Sequence, residues 1–182
     1  MEKLLLHHCC APCSPSVIEI LSKDFDLKSF WFNPNIQPKE EHDKRFETLV
    51  AFLKSLQKEV IVGPDFSKDT WIWQNTRKNT ERCKLCYYLR LSQTALEAKR
   101  LNIKNFSSTL LSSPQQKHNE IKFIGEQIAK AENLNFVYQD FRPFYYEGKN
   151  KIKEMNLYTQ KYCGCSLSIE DQKENKRNKK DK

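Results

Sequence analysis

KLLLHHCCAPC, residues 3–13, joins a short apolar run to a cluster of thiols. Leu4-Leu5-Leu6 is too brief for a helix and is closed by polar and sulfur side chains, so Lys3–His8 is predicted as a strand that ends at the Cys9-Cys10 pair. Helical character follows over Cys13–Ser22. The same alternation continues along the chain. Leu27–Phe32 is predicted as a strand closed by Asn33-Pro34-Asn35, and Lys39–Leu56 as a helix with Phe46, Leu49, Val50 and Leu53 on one face. Glu59–Val62 is a third strand, stopped by Gly63-Pro64. Further on come a helix from about Glu81 to Arg100, a strand at Asn105–Thr109, a helix at Lys117–Glu132 and a strand at Asn135–Tyr138. This order predicts an α/β fold: a mostly parallel sheet with helices on both faces, carrying its ligand site at the carboxyl ends of the strands. Cys9-Cys10 stands at such an end.

The chain has 182 residues, 38% of them hydrophobic, which suits one core. A single α/β domain over 1–172 is expected, followed by a basic, disordered tail over 173–182, KENKRNKKDK. No apolar run approaches the roughly 20 residues of a membrane span, so a cytoplasmic protein without a membrane partner is expected; a monomer is the expected state. The formal charge of +8 favours a polyanionic partner, because neutralising phosphates releases condensed counterions. With only four glycines there is no G-x-G-x-x-G, phosphate loop or nucleophile elbow, which disfavours nucleotide-dependent phosphoryl chemistry.

Seven cysteines in a reducing compartment do not suit a disulfide framework, and the odd number would leave one unpaired. They fall into three groups: Cys9, Cys10 and Cys13; the C-x-x-C of Cys83 and Cys86; and the C-G-C of Cys163 and Cys165. Thiols three apart at the start of a helix can face one metal, and the positive end of the helix dipole favours their ionised form. Four thiolates satisfy either a structural zinc or a cubane iron–sulfur cluster. Zinc ribbons usually present two C-x-x-C knuckles, whereas Cys9-Cys10 is an adjacent pair, so the spacing leans toward the larger cluster and leaves zinc and metal-free thiol chemistry as alternatives. A disulfide between Cys163 and Cys165 would close a very small, strained ring and be easily reduced. Gly164 gives the turn room, so either a redox-active pair or two further metal ligands fit.

Trp71 and Trp73, among Asn75, Thr76, Arg77 and Lys78, combine aromatic faces and cations in the way that stacking on unpaired bases requires, though packing under a loop accounts for them equally. YQDFRPFYY, residues 138–146, reads as a substrate-facing loop containing Asp140, Arg142 and Tyr145. His7 and His8 point to opposite faces of the first strand, and an inward histidine is more often a satisfied core group than a ligand. Pro12, Pro34 and Pro114 shape the loops at the strand ends.

HHCCAPCSP at 7–15, FWFNPNIQP at 30–38, RCKLCYYLRLSQTA at 82–95, FSSTLLSSPQQKH at 106–118, DFRPFYYEG at 140–148 and YTQKYCGCSLS at 158–168 together resemble the cobalamin-independent epoxyqueuosine reductase family, QueH. The resemblance covers nearly the whole chain. It implies a Rossmann-like fold similar to the adenine-nucleotide alpha-hydrolases, with cysteines in place of the nucleotide loop. It also implies a 4Fe-4S cluster on Cys9, Cys10, Cys83 and Cys86, a redox-active pair in Cys163 and Cys165, and an additional mononuclear iron for which Cys13 is a candidate ligand. The implied reaction converts the epoxide of epoxyqueuosine, at the wobble position of tRNA, into the alkene of queuosine. The partners implied are a tRNA carrying epoxyqueuosine and a separate electron donor. Asp140, Tyr145 or its neighbour Tyr146, or a histidine are candidates for the proton donor.

Overall fold

The computed structural model describes residues 1–64 and 81–169. Trp71 and Trp73 with their polar neighbours, and the expected tail at 173–182, lie outside the described residues. Five strands, β1 (Glu2–His7), β2 (Phe25–Trp31), β3 (Val60–Val62), β4 (Asn105–Ser108) and β5 (Asn135–Phe136), form one sheet in the order β3-β2-β1-β4-β5. Every neighbouring pair is parallel. The α/β class expected from the alternation is therefore the observed one, with the strand order of a Rossmann-like sheet.

Parallel neighbours need crossovers, and the described helices are α1 (Pro15–Leu21), α2 (Lys39–Ser55), α3 (Glu81–Arg100), α4 (His118–Glu132) and α5 (Tyr145–Glu154). Right-handed crossovers that step from β1 to β3 and then return to β4 and β5 put the early and late helices on opposite faces of the sheet. In agreement with this, α3 packs on α4, whereas α5, which follows the last strand and is not a crossover, packs back on α1. Leu4, Leu5 and Leu6 are wholly buried because β1 is the central strand and is covered on both sides.

The chain order reverses at β1, between its neighbours β2 and β4, so the crevice at the carboxyl end of β1 is where this architecture places ligands. His7 lies in register with Phe30 of β2 and Ser108 of β4, and the first residues beyond it are His8, Cys9 and Cys10.

Three expectations are adjusted. In α2, Phe52 joins Leu49 and Leu53 in the core while Val50 is half-buried. The segment 138–146 is more ordered than a loop: Arg142–Phe144 forms a 3-10 turn that leads directly into α5. Polar composition concealed α5, because only Gly148 and Ile152 of that helix are buried. The last strand is Asn135–Phe136, with Val137 contributing one further hydrogen bond from its N–H to the Phe106 carbonyl.

Candidate functional site

The loop from β1 to α1 brings three thiols together. The sulfurs of Cys9, Cys10 and Cys13 all lie within 4.8 Å of one another, close enough to hold one metal centre. Cys10 and Cys13 are buried and Cys9 is partly exposed. Two hydrogen bonds set this turn. The Ser14 hydroxyl donates to the Cys10 carbonyl at 2.8 Å, and the Cys9 N–H donates to Thr109 Oγ1 at 2.9 Å across the sheet. The Thr109 hydroxyl in turn donates to Cys9 Sγ at 3.2 Å.

Hydrogen bonds from Cys10, Cys13 and Thr109 favour the Cys9 thiolate and draw its pKa well below the ordinary thiol value. Burial pushes the Cys10 thiol up, and hydrogen bonding with Cys10 and Cys9 pushes the Cys13 thiol up. The triad thus holds one sulfur readily as an anion and resists ionising all three unless a cation joins them.

The two histidines are buried and neutral, as their surroundings require. Burial and the charge of Arg90 bring His7 down to about 4, and burial with the neighbouring His7 brings His8 down to about 3. His7 Nε2 lies 3.1 Å from the Phe32 carbonyl, which only accepts, so this nitrogen carries the proton. His7 Nδ1 then accepts from the Ser108 hydroxyl at 2.8 Å. The Ser14 proton is committed to Cys10, so His8 Nδ1 donates to Ser14 Oγ at 2.8 Å, leaving Nε2 without a partner among the described residues. Both rings act first as struts beneath the cysteine turn.

A second thiol group comes from α3 and the C-terminal segment. Cys83, Cys163 and Cys165 all bear electrostatically on Cys86, whose thiol is pushed up to about 12, chiefly by burial. The Cys163 thiol is raised as well by its packed surroundings, although part of the residue meets solvent, and Gln116 Nε2 donates to its sulfur at 3.3 Å. Spacing alone did not reveal that the C-G-C folds back beside the C-x-x-C.

Arg45 of α2 fastens that fold-back. It is buried, pairs through Nε with Glu41 at 2.7 Å, and donates through its two terminal nitrogens to the Cys163 and Tyr162 carbonyls at 3.0 Å each. The Gln37 N–H donates to the Gly164 carbonyl at 2.8 Å, and the Tyr162 hydroxyl donates to the Gln37 carbonyl. Gly164 adopts φ +140°, and a Cβ there would sit 3.1 Å from Asn35 Nδ2 and 3.2 Å from Ile36 Cγ1. Both facts call for glycine between the two cysteines.

Of the polar candidates, Tyr145 borders the triad. Its phenol is raised by burial and then by the fields of Cys13, Cys10 and Cys9, so it stays protonated through neutral pH. Asp140 is gripped by Arg142, with Nη2 to Oδ2 at 2.6 Å and Nε to Oδ1 at 2.9 Å, which holds its carboxyl down at about 2. Asp140 is therefore an anion at neutral pH and an acceptor of hydrogen bonds.

The model of the family described as epoxyqueuosine reductase QueH matches residues 4–171. The chain belongs to this family. A protein of Dehalococcoides mccartyi named epoxyqueuosine reductase QueH is 36% identical over 168 residues, spanning 91% of this chain and 92% of its own length. Proteins of the same name from Thermotoga maritima and Acinetobacter baylyi are each 32% identical, over 96% and 93% of this chain and 94% and 82% of their own lengths. The QueH match begins at β1 and runs past the C-G-C, so both thiol groups lie within it. No helix among the described residues is long and apolar enough to cross a membrane.

Proposed function

We propose that this QueH protein reduces the epoxide of epoxyqueuosine in tRNA to the alkene of queuosine, using a 4Fe-4S cluster on Cys9, Cys10, Cys83 and Cys86 together with the Cys163–Cys165 dithiol. The observation that carries the reading is the Cys9-Cys10-Cys13 triad at the switch point of the sheet, within a chain whose relatives bear the name epoxyqueuosine reductase. A set made wholly of thiols is soft, which suits iron–sulfur chemistry. Cys9 and Cys10 with Cys83 and Cys86 supply the four thiolates of a cubane, and Cys13 is left for an additional mononuclear iron.

Opening the epoxide to an alkene consumes two electrons and two protons and releases water. The Cys163–Cys165 dithiol, on closing to a disulfide, gives up the same two electrons and two protons, and an external donor restores it. A cubane held by Cys9, Cys10, Cys83 and Cys86 would pass those two electrons on one at a time. Tyr145 holds a proton at its phenolic oxygen next to the triad, relays it to the oxygen leaving the ring, and regains it from one of the two that the dithiol releases. Arg45 and Glu41 hold the C-G-C turn in place, and Gly164 lets the turn close against Asn35 and Ile36.

Variants divide these roles. Cys83→Ala and Cys86→Ala should lose the cluster absorbance, while Cys163→Ala and Cys165→Ala should keep it and lose turnover. A full visible spectrum in Cys83→Ala would remove α3 from the ligand set, and full turnover in Cys163→Ala would end the dithiol role.

A further inference from the structure

Arg90 is buried, with 3% of its surface exposed, yet among the described residues no carboxylate lies within ion-pair reach of it. Three other arginines show what is missing: Arg45, Arg100 and Arg142 each grip a carboxylate, at 2.7, 2.6 and 2.6 Å. Arg90 has only two long bonds among the described residues, from Nε to the Cys86 carbonyl at 3.3 Å and from Nη1 to Asn33 Oδ1 at 3.4 Å. Its Nη2 is buried and has no partner among them. Leaving a buried charge without a counter-charge is among the costliest arrangements a fold can hold, so an anion must belong beside it.

The groups around the guanidinium identify that anion. Cys86, Cys163 and Cys9 are the sulfurs whose fields reach it, and Tyr87 lies 5.9 Å away with its ring facing the guanidinium. Arg90 therefore stands between the two thiol groups, one on the β1 loop and one on α3 and the C-G-C. Residues 83, 86 and 90 follow i, i+3, i+7 spacing, which puts both α3 cysteines and this cation on the same helical face.

We propose that Arg90 is the fixed counter-charge of the cysteine assembly: its guanidinium offsets the negative charge that the thiolates and their bound cluster bring into the crevice, and thereby sets the potential at which an electron is accepted. The proposal rests on the iron–sulfur reading above. A reduced cluster carries one more negative charge than an oxidised one, so a positive charge held nearby in a low-dielectric surrounding favours the reduced form. The Nη2 donor, unused by the described residues, is available to a sulfur of the assembly. Arg90 is on this account a positioning residue that acts on the potential and touches no substrate.

The test is an anaerobic redox titration of the cluster, followed by electron paramagnetic resonance, in wild-type protein, Arg90→Gln and Arg90→Lys, with iron and sulfide measured on each sample. Arg90→Gln should retain its iron and show at least a tenfold lower ratio of reduced to oxidised cluster at a fixed ambient potential. For a one-electron couple that is a displacement of about 59 mV to more negative values. Arg90→Lys, which keeps the charge and loses the fork, should stay much nearer to wild type. A loaded Arg90→Gln cluster with the wild-type midpoint overturns the proposal, as does an Arg90→Lys midpoint displaced as far as that of Arg90→Gln. Wild-type protein without iron overturns the iron–sulfur reading itself, a result distinct from either. Should Arg90→Gln not fold, Asn33→Asp places a carboxylate against Nη1 without removing the arginine, and it must move the midpoint in the same negative direction; an unmoved midpoint there overturns the proposal.

Discussion

Replacing Arg45 by methionine keeps most of the side chain's volume in α2 but removes its ion pair with Glu41 and its two bonds to the Tyr162 and Cys163 carbonyls. Breaking a buried ion pair costs ~3–5 kcal/mol. Glu41 is 12% exposed and retains the Tyr158 hydroxyl at 2.9 Å, so the lower end, about 3 kcal/mol, applies here. If that loss falls on the C-G-C turn, which Arg45 ties to α2, the closed turn loses about 10²-fold in population relative to open forms. Two readouts follow from one variant. Alkylation of Cys163 and Cys165 in reduced protein, followed by peptide mass spectrometry, should speed up by roughly 10–100-fold, and turnover should fall by a similar factor while the visible spectrum stays intact. Arg45→Lys, able to keep Glu41 but not both carbonyls, should lie between. Folded Arg45→Met with wild-type alkylation rates and wild-type turnover would refute the clamp.

Tyr145→Phe should lower kcat on epoxyqueuosine tRNA on the order of 10²-fold with little change in KM, since the phenol is assigned a proton transfer and no binding role; an unchanged kcat would remove it from the reaction. Gly164→Ala forces a side chain into a left-handed conformation against Asn35 and Ile36, a strain of about 1–3 kcal/mol confined to the C-G-C turn. It should abolish turnover with the cluster retained, and normal turnover would show that the turn need not close. In metal-free protein, His7 and His8 have folded pKa values of about 4 and about 3, below the unfolded 6.5. As pH falls, the unfolded chain therefore takes up protons first. The stability contributed is complete above pH 6.5 and is lost as pH falls from there toward 4, at about 1.4 kcal/mol per histidine for each pH unit crossed. The urea midpoint should drop clearly between pH 7 and pH 4.5, and an equal midpoint at the two would contradict the buried neutral pair.

The sheet was legible because β1, β2 and β3 carry short apolar stretches and the crossovers a helical period, and the position of Cys9-Cys10 just past Leu4-Leu5-Leu6 already placed thiols at a strand end. α5 was not legible: a helix that buries only Gly148 and Ile152 has no apolar stripe to read. The site was visible as three groups of cysteines, but the groups' relation in space was not, because the C-G-C is held to α2 across more than 100 residues of chain through the Cys163 and Tyr162 carbonyls, which leave no trace in side-chain pattern. Arg45 and Arg90 were missed for a related reason. Each sits in a charged or mixed helical stretch where arginine is ordinarily solvated, and only the tertiary fold shows it buried. The spacing of Cys83, Cys86 and Arg90 on one helical face was the signal that could have exposed Arg90. Asp140 and Tyr145 looked alike as proton donors until the fold supplied Arg142 to one and the triad to the other.

The central claim, that the clustered cysteines hold an iron–sulfur centre which serves epoxide reduction on tRNA, is tested most directly on one anaerobic preparation of the wild-type protein. Iron, sulfide and zinc are measured, and the same sample is incubated with epoxyqueuosine-containing tRNA and a reductant. The account predicts brown protein with about four or more irons per chain that converts epoxyqueuosine to queuosine; colourless protein carrying zinc and leaving the epoxide intact would contradict it.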